Sequence, residues 1–217
     1  MHGLSDAQSS DSSFAAAVPP DAAAVRGFED CAWLFGSNAL NHGVARQTLA
    51  EAAYLYRFVH ALDAPRVAEI GRYKGGTTFL MAAAGATVLS LDVREPTRGS
   101  DDSLRRALEQ FELADRVEIV ITPSQSYPLD GSDRFELVFF DVAGAYEYVR
   151  SELDRWWTAV PQGGSLIVRD GTAYPATDSR AAVTQGTVRA ADDFERRPDV
   201  RRLVATPGTY AHFTKEQ

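Results

Sequence analysis

Apolar residues recur every three or four positions in the first long segment of the chain and fall into short runs after it. Across residues 46–62 this spacing predicts one long helix, which Asp63 and Pro65 end. The short apolar runs predict strands, at residues 66–70, 87–91, 117–121, 135–140 and 165–168. Helical spacing returns between the strands, at residues 76–84, 101–112 and 146–160. The chain therefore alternates strands with helices.

This alternation predicts the fold class. Parallel strands joined through helices need right-handed crossover connections, so most of the sheet is expected to be parallel and covered on both faces. The end of the chain differs, because a helix near residues 187–196 is followed by two strands, 202–206 and 209–214, joined at Pro207-Gly208 by a loose turn. We predict an α/β fold, a doubly wound, mostly parallel seven-stranded sheet with a C-terminal antiparallel hairpin.

The N-terminal segment has a different amino-acid composition. Residues 1–24 are rich in Ala, Ser, Asp and Pro, so they cannot bury enough apolar surface to offset the entropy of ordering, and a disordered tail is expected. Neither a signal peptide nor a membrane-spanning helix is predicted from the sequence. We expect a single domain from residue 25 to residue 217, with residues 25–45 as a cover segment ahead of the long helix.

Charge and cysteine content narrow the partners. The 217 residues include 22 Lys and Arg against 30 Asp and Glu, a net charge of −8. No broad basic face is expected, which argues against nucleic acid or an anionic membrane as a partner. Cys31 is the single cysteine, which excludes an intrachain disulfide and suits a reducing cytoplasm.

The first predicted strand runs into a glycine-rich turn that opens a helix. Such a turn lets a ligand approach the main chain and the free N–H groups of the helix. Asp92 ends the next strand about 20 residues after Gly71, where a carboxylate can bind ribose hydroxyls. This spacing suits NAD, an adenosyl cofactor or a nucleotide sugar. The turn lacks a full dinucleotide or P-loop pattern, and Glu69 would repel a pyrophosphate but attract an ammonium or a sulfonium.

These motifs resemble a known family. The string VAEIGRYKGGTTFLMAAAGATVLSLD (residues 67–92) is similar to motif I and the following acidic position of class I S-adenosylmethionine (SAM)-dependent methyltransferases. Residues 122–125 resemble the adenine loop of catechol-type O-methyltransferases, and residues 135–171 resemble their next strand, helix and strand. The pattern is most similar to the cephalosporin-hydroxylase-like and macrocin O-methyltransferase-like group. It implies a Rossmann-like fold and methylation of a small-molecule hydroxyl, most naturally on a natural-product scaffold.

The resemblance assigns residues to the cofactor. Two glycines would line its methionine end, one carboxylate would hold the ammonium through water, another would bind the ribose hydroxyls, and a polar pair would lie near adenine. Gly71 and Gly75 are the two glycines, Glu69 would hold the ammonium, and Asp92 would bind the ribose hydroxyls. Ser124 and Gln125 are the polar pair near adenine.

The resemblance also implies a metal. Asp141 and Asp170 follow adjacent predicted strands, where two carboxylates can share a Mg²⁺ ion that binds the acceptor hydroxyl and lowers its pKa. Two departures weaken this expectation: Arg169 stands where metal-dependent relatives often have an acidic residue, and Gly171 where catechol-type enzymes have asparagine.

A general base is also missing at its usual place, because Gly144 stands where many relatives have a histidine. His42 in the cover segment is the first replacement to consider, with Asp141 as the other catalytic candidate. Two alternatives stay open: a SAM-binding protein that has lost or changed catalysis, and a nicotinamide-dependent oxidoreductase. The family implies a homo-oligomer, but the sequence does not establish the oligomeric state. It also does not identify the acceptor or the atom that is methylated.

Overall fold

The computed structural model describes residues 24–35, 44–96, 99–142 and 144–216. The predicted tail and the middle of the cover segment, His42 included, lie outside these ranges. The strands, in chain order, are β1 Arg66–Ile70, β2 Thr87–Asp92, β3 Val117–Ile121, β4 Leu137–Phe140, β5 Ser165–Val168, β6 Val200–Arg202 and β7 Ala211–Lys215. The α-helices are α1 Leu49–Ala61, α2 Gly76–Ala83, α3 Ser100–Gln110, α4 Tyr146–Trp157 and α5 Arg180–Phe194. Short 3₁₀ helices span Phe28–Phe35, Ala114–Arg116 and Ser124–Ser126.

The seven strands form one sheet in the order β3-β2-β1-β4-β5-β7-β6. Strands β1 to β5 are parallel, and β7 runs antiparallel to both β5 and β6. The predicted fold class, including the antiparallel end, is confirmed. Strand order reverses at β1, which has β2 on one side and β4 on the other, and in such sheets ligands bind outside the carboxyl ends of the strands at this point.

The register aligns four strand ends. Ile70 pairs with Leu91 and with Phe140, and Phe140 pairs with Val168. The residues that follow these four therefore form one row along the sheet edge, in the order Asp92, Gly71, Asp141 and Arg169. Because neighbouring strands lie about 4.8 Å apart, this row is roughly 14 Å long.

Helices cover both faces of the sheet. Alternate strand positions such as Val67 and Phe139 pack with α1, α2 and α3, whereas Ala68 and Val138 pack with α4 and α5. Within the cover segment, Cys31 is buried in the first of these layers. None of the helices in the described ranges has the length and apolar character needed to cross a membrane.

The start of α1 differs from the prediction by three residues because of its cap. The Thr48 hydroxyl accepts a hydrogen bond from the Glu51 N–H, and the Glu51 carboxylate accepts one from the Thr48 N–H, a capping box that fixes Leu49 as the first helical residue. The other Glu51 oxygen accepts hydrogen bonds from the Thr209 N–H at 2.7 Å and the Thr209 hydroxyl at 2.9 Å. One carboxylate thus joins α1 to the connection between β6 and β7.

The C-terminal elements show the largest differences. Helix α5 begins at Arg180, seven residues before the predicted start, and continues through Gly186. The predicted hairpin has shorter strands and a longer connection, in which the Tyr210 N–H bonds to the Pro207 carbonyl and Gly208 has a φ of +60°. The turn therefore starts at Pro207 and places Gly208 at its second position, where a left-handed conformation favours glycine.

Candidate functional site

A cavity of about 380 Å³ opens at the carboxyl edge of the sheet, over the row of four strand ends. All four residues of the row line it. Three further polar side chains line it, from the loop after β3, from α4 and from the segment before α1. These are Ser124, Tyr148 and Arg46.

The turn after β1 wraps around the Asp92 carboxylate. Its Oδ2 atom accepts hydrogen bonds from the backbone N–H groups of Arg72 at 3.1 Å and Tyr73 at 2.9 Å. Gly71 has a φ of +92°, and a Cβ atom there would lie 2.4 Å from the Asp141 carbonyl oxygen. Only glycine fits at this position, because both the backbone conformation and the space exclude a side chain. The structure thus brings Asp92, Gly71 and Asp141 into one cavity.

A buried ion pair anchors this turn to α3. The Arg72 guanidinium, with no exposed surface, donates to both carboxylate oxygens of Asp101 at 2.8 and 2.9 Å and to the Ser90 carbonyl. Sequence reasoning missed this pair. The only signal was an arginine inside a glycine turn, and nothing in the sequence indicates which carboxylate it meets.

Glu69 does not line the cavity, and its role in holding an ammonium through water stays a prediction. Its side chain is fully buried below the sheet edge, where Oε2 accepts hydrogen bonds from the hydroxyls of Thr78 and Ser90. Burial raises the pKa of this carboxyl to about 8, against the opposing effect of the two hydroxyls. The other oxygen, Oε1, has no hydrogen-bond partner among the described residues. Glu69 therefore belongs to the layer of α2 and β2 and makes no direct contact with a ligand in the cavity.

Two further predicted ligand residues also lie elsewhere. Gly75 precedes α2 with a φ of +84°, and a Cβ atom there would lie 2.4 Å from a methyl group of Leu104, so this glycine permits packing against α3. Gln125 is exposed and does not line the cavity.

Ser124 does line the cavity and is held from below. Its hydroxyl donates to the buried carboxylate of Glu152, and its carbonyl accepts from the Arg155 guanidinium at 2.8 Å. The Tyr148 hydroxyl lies 3.4 Å from the hydroxyl oxygen of Ser124. Sequence analysis did not identify Glu152 or Tyr148. Their spacing on α4 is an ordinary i, i+4 pair, which carries no sign of a ligand.

The two aspartates of the predicted metal site have other partners. Asp141 Oδ1 accepts a hydrogen bond from Arg169 Nη1 at 2.7 Å. Asp170, with a φ of +57°, accepts hydrogen bonds from the Tyr174 hydroxyl at 2.5 Å and the Thr209 hydroxyl at 3.3 Å, and it does not line the cavity. Among the described residues, no group of three or more His, Cys, Asp or Glu side chains is arranged to hold a metal. The residues present do not fit Mg²⁺, because a guanidinium already lies against the carboxylate that would bind it.

Charges around Asp141 are closely balanced. Burial raises the pKa of the Asp141 carboxyl, although the charges of Arg169 and Arg46 act in the opposite direction. Burial disfavours the charged form of Arg169, but the carboxylates of Asp141 and Asp170 outweigh it and raise the pKa of the guanidinium. Arg169 is therefore a permanent cation at this end of the cavity.

No histidine of the described ranges lines the cavity. His212 is buried on β7, where the Tyr54 hydroxyl lies 2.7 Å from its Nδ1, and His60 is exposed on α1. The predicted base His42 lies outside the described residues.

Comparison with known proteins agrees with this geometry. Residues 68–171 match a family described as a methyltransferase domain. A search of curated proteins gave no match. Among solved structures, the O-methyltransferase TomG from Streptomyces achromogenes, determined with SAM, aligns with a TM-score of 0.62 and 18% identity over 81% of this chain and 83% of that protein.

Two further solved structures are similar. The SAH-bound methyltransferase PaMTH1 from Podospora anserina has a TM-score of 0.62 and 15% identity over 79% of this chain and 80% of that one. An O-methyltransferase from Bacillus cereus, in complex with SAH, has a TM-score of 0.59 and 19% identity over 78% and 82% of the two chains. At these identities the likeness establishes the fold. The resemblance inferred from the motifs is confirmed at this level: the chain has the fold of these methyltransferases, and its residues 68–171 match the methyltransferase-domain family.

Proposed function

We propose that this protein transfers a methyl group from SAM to a hydroxyl group of a small molecule. One observation carries the proposal: Asp92 and Gly71 end adjacent strands, and both line the cavity at the point where strand order reverses. A carboxylate beside a glycine turn suits a ligand that has a ribose at one end and needs close approach to the main chain at the other.

The residues of the cavity fit SAM in a consistent order. Asp92 would accept hydrogen bonds from the ribose hydroxyls, since its Oδ1 makes only one long bond of 3.4 Å, to the Arg94 N–H. Ser124 would lie near adenine, because it closes the cavity beyond Asp92. Gly71 and Asp141 would lie beside the methionine end. Bound SAM supplies an electrophilic methyl group on a positively charged sulfur.

The protein needs to do little beyond holding the reacting atoms in line and excluding water. Asp141 and Arg169 follow β4 and β5, on the far side of Gly71 from Asp92, so the acceptor would enter there. His42 as a general base stays a prediction.

One of the similar solved structures also indicates a class of acceptor. TomG is described as involved in tomaymycin synthesis, which favours a role in natural-product biosynthesis for this chain as well. A small-molecule acceptor, a cytoplasmic location and a homo-oligomer stay predictions, as does the expectation that nucleic acid and membranes are not partners. A SAM-binding protein without catalysis is the second candidate, because Gly144 leaves the usual histidine position empty of a base.

Isothermal titration calorimetry tests the proposal. We expect SAM to bind and NAD not to bind. Asp92→Ala removes charge-assisted hydrogen bonds and should weaken SAM binding by roughly 2 to 4 kcal/mol. Asp102→Ala is the matched control, since Asp102 is exposed on α3 and pairs only weakly with Arg105. Equal SAM affinity in the Asp92→Ala and Asp102→Ala variants would refute the proposal, as would binding of NAD in place of SAM.

A further inference from the structure

Arg169 lies against Asp141, one of the two carboxylates of the predicted metal site. Its side chain is only 13% exposed, it lines the cavity, and its guanidinium bridges two elements, donating to Asp141 Oδ1 at 2.7 Å and to the Arg46 carbonyl at 3.4 Å. A guanidinium has five N–H donors, so these two bonds leave donors for an oxygen in the cavity. Arg169 therefore combines a fixed position with unused capacity to bind an anion.

Positive and negative side chains meet at this end of the cavity. Arg46 and Arg169 both line it, whereas Asp141 is the only carboxylate among the described lining residues on this side of Gly71. The Arg46 guanidinium stacks over the Tyr73 ring, 4.2 Å from its centroid. Asp170 also lies close enough to act on the pKa of both Arg169 and Asp141, so two cations face two carboxylates, and it is the guanidinium of Arg169 itself that would attract an anionic acceptor and oppose a divalent cation.

Removing the acceptor proton is the remaining requirement. Within the described ranges no histidine lines the cavity, Glu69 is sealed below it, and Asp141 Oδ1 is bound to Arg169. A hydroxyl that is acidic in water needs no base from the protein, because it enters already ionised.

We propose, building on the function above, that the acceptor is an acidic hydroxyl compound, a phenol or enol, whose oxyanion Arg169 binds directly without a divalent cation. The proton of the hydroxyl goes to bulk water before binding. The acceptor oxygen forms a bond to the methyl carbon with its own electron pair, while the bond from that carbon to the cofactor sulfur breaks and leaves its pair on sulfur. Charge balances, since an anion and a sulfonium become an ether and a thioether.

The first test uses 4-nitrophenol, whose absorption spectrum reports its ionisation, with the full chain in excess EDTA and without SAM. An adjacent opposite charge shifts a pKa by about 1 to 3 units, so the apparent pKa of the bound phenol should fall, making it about tenfold to a thousandfold more ionised. Arg169→Ala should abolish the shift and Arg169→Lys should keep part of it. Arg150→Ala should keep the whole shift, because Arg150 makes an ion pair of the same 2.7 Å length with Asp154 outside the cavity.

The second test measures Mn²⁺ binding by electron paramagnetic resonance, with Mn²⁺ standing in for Mg²⁺. The wild-type protein and the Arg150→Ala variant should bind no Mn²⁺ at the cavity. Arg169→Ala exposes the Asp141 carboxylate and should gain the Mn²⁺ binding that wild type lacks, a gain that Asp141→Asn in the same chain should remove.

Three results would overturn the proposal: no binding of 4-nitrophenol, a shift that survives in Arg169→Ala, or Mn²⁺ binding to the wild type that Asp141→Asn abolishes. Both tests are made without SAM. A protein that binds the phenolate at Arg169 but does not bind SAM would refute only the proposed function, and one that binds SAM but shows any of these three results would refute only this inference.

Discussion

Gly186 of α5 lies directly against the carbonyl oxygen of Gly144, so a Cβ atom at position 186 would come within 2.4 Å of that oxygen. This close approach sets the distance between α5 and the start of α4. Although alanine has a helix propensity about 1 kcal/mol more favourable than glycine, we expect Gly186→Ala to lower the free energy of unfolding by about 1 to 3 kcal/mol, since the helices must separate. Urea denaturation measures the change. Gln185→Ala, on the exposed side of the same helix, should stay within about 0.5 kcal/mol of wild type; a Gly186→Ala protein as stable as this control would contradict the packing argument.

Alanine substitutions at Gly71 and Gly85 separate the cost of an unfavourable backbone conformation from the cost of steric overlap. Both have positive φ, +92° and +109°, but a Cβ atom at position 85 would meet nothing within 4 Å. Gly85→Ala should therefore cost only the conformational penalty of about 1 to 2 kcal/mol. Gly71→Ala should cost more, because the new methyl group overlaps the Asp141 carbonyl and forces β1 and β4 apart at the cavity. Thermal denaturation and SAM calorimetry check both variants, and equal losses of stability and affinity would show that space plays no part.

The buried pair of Arg72 and Asp101 should behave as a unit. Removing one partner leaves an uncompensated buried charge, so Arg72→Met is expected to lower the free energy of unfolding by about 3 to 5 kcal/mol. Arg72→Met combined with Asp101→Leu should recover most of this loss, because neither charge then remains. Chemical denaturation of the two single variants and the double variant measures the coupling. A double variant whose loss equals the sum of the single losses would show that the two residues act independently.

His212 should make the protein sensitive to acid. Burial lowers the pKa of this imidazole from 6.5 to about 4. Between pH 4 and pH 6.5 the imidazole is therefore protonated in the unfolded chain but neutral in the folded protein. The stabilisation is fully present above pH 6.5 and is lost as the pH falls towards 4, by about 3 kcal/mol in total. His212→Gln should flatten the fall of the melting temperature over this range relative to wild type. A His212→Gln variant whose melting temperature falls as steeply as that of wild type would show that this sensitivity to acid does not come from His212.

The elements that sequence analysis located best are those whose boundaries depend on local chemistry. Strands β1, β3 and β5 begin and end where predicted, because a short apolar run bounded by Pro, Gly or charged residues leaves little freedom. The juxtaposition of Gly71 with Asp92 also follows from the sequence, since both residues end adjacent parallel strands. Helix α5 begins earlier than predicted: glycine inside a helix is unfavourable locally, but at Gly186 it permits close contact with the backbone of residues 144–146.

Side-chain direction on the central strands could not be predicted. Strand β1 is covered on both faces, so its sequence shows no polar face that would reveal where Glu69 points. Arg169 illustrates the same limit at the site. Its departure from the metal-binding pattern is visible in the sequence, but its ion pair with Asp141 depends on the register of β4 and β5.

The shared carboxylate of Glu51 has a consequence for how the protein folds. Its hydrogen bonds to Thr48 are local, but those to Thr209 join positions 158 residues apart. Closing so long a loop costs chain entropy that must be recovered from contacts formed across the whole sheet, which makes the pairing slow in comparison with helix formation. We therefore expect the first turn of α1 to form early with its local hydrogen bonds. The Glu51 carboxylate completes its hydrogen bonds later, when the connection between β6 and β7 packs against α1.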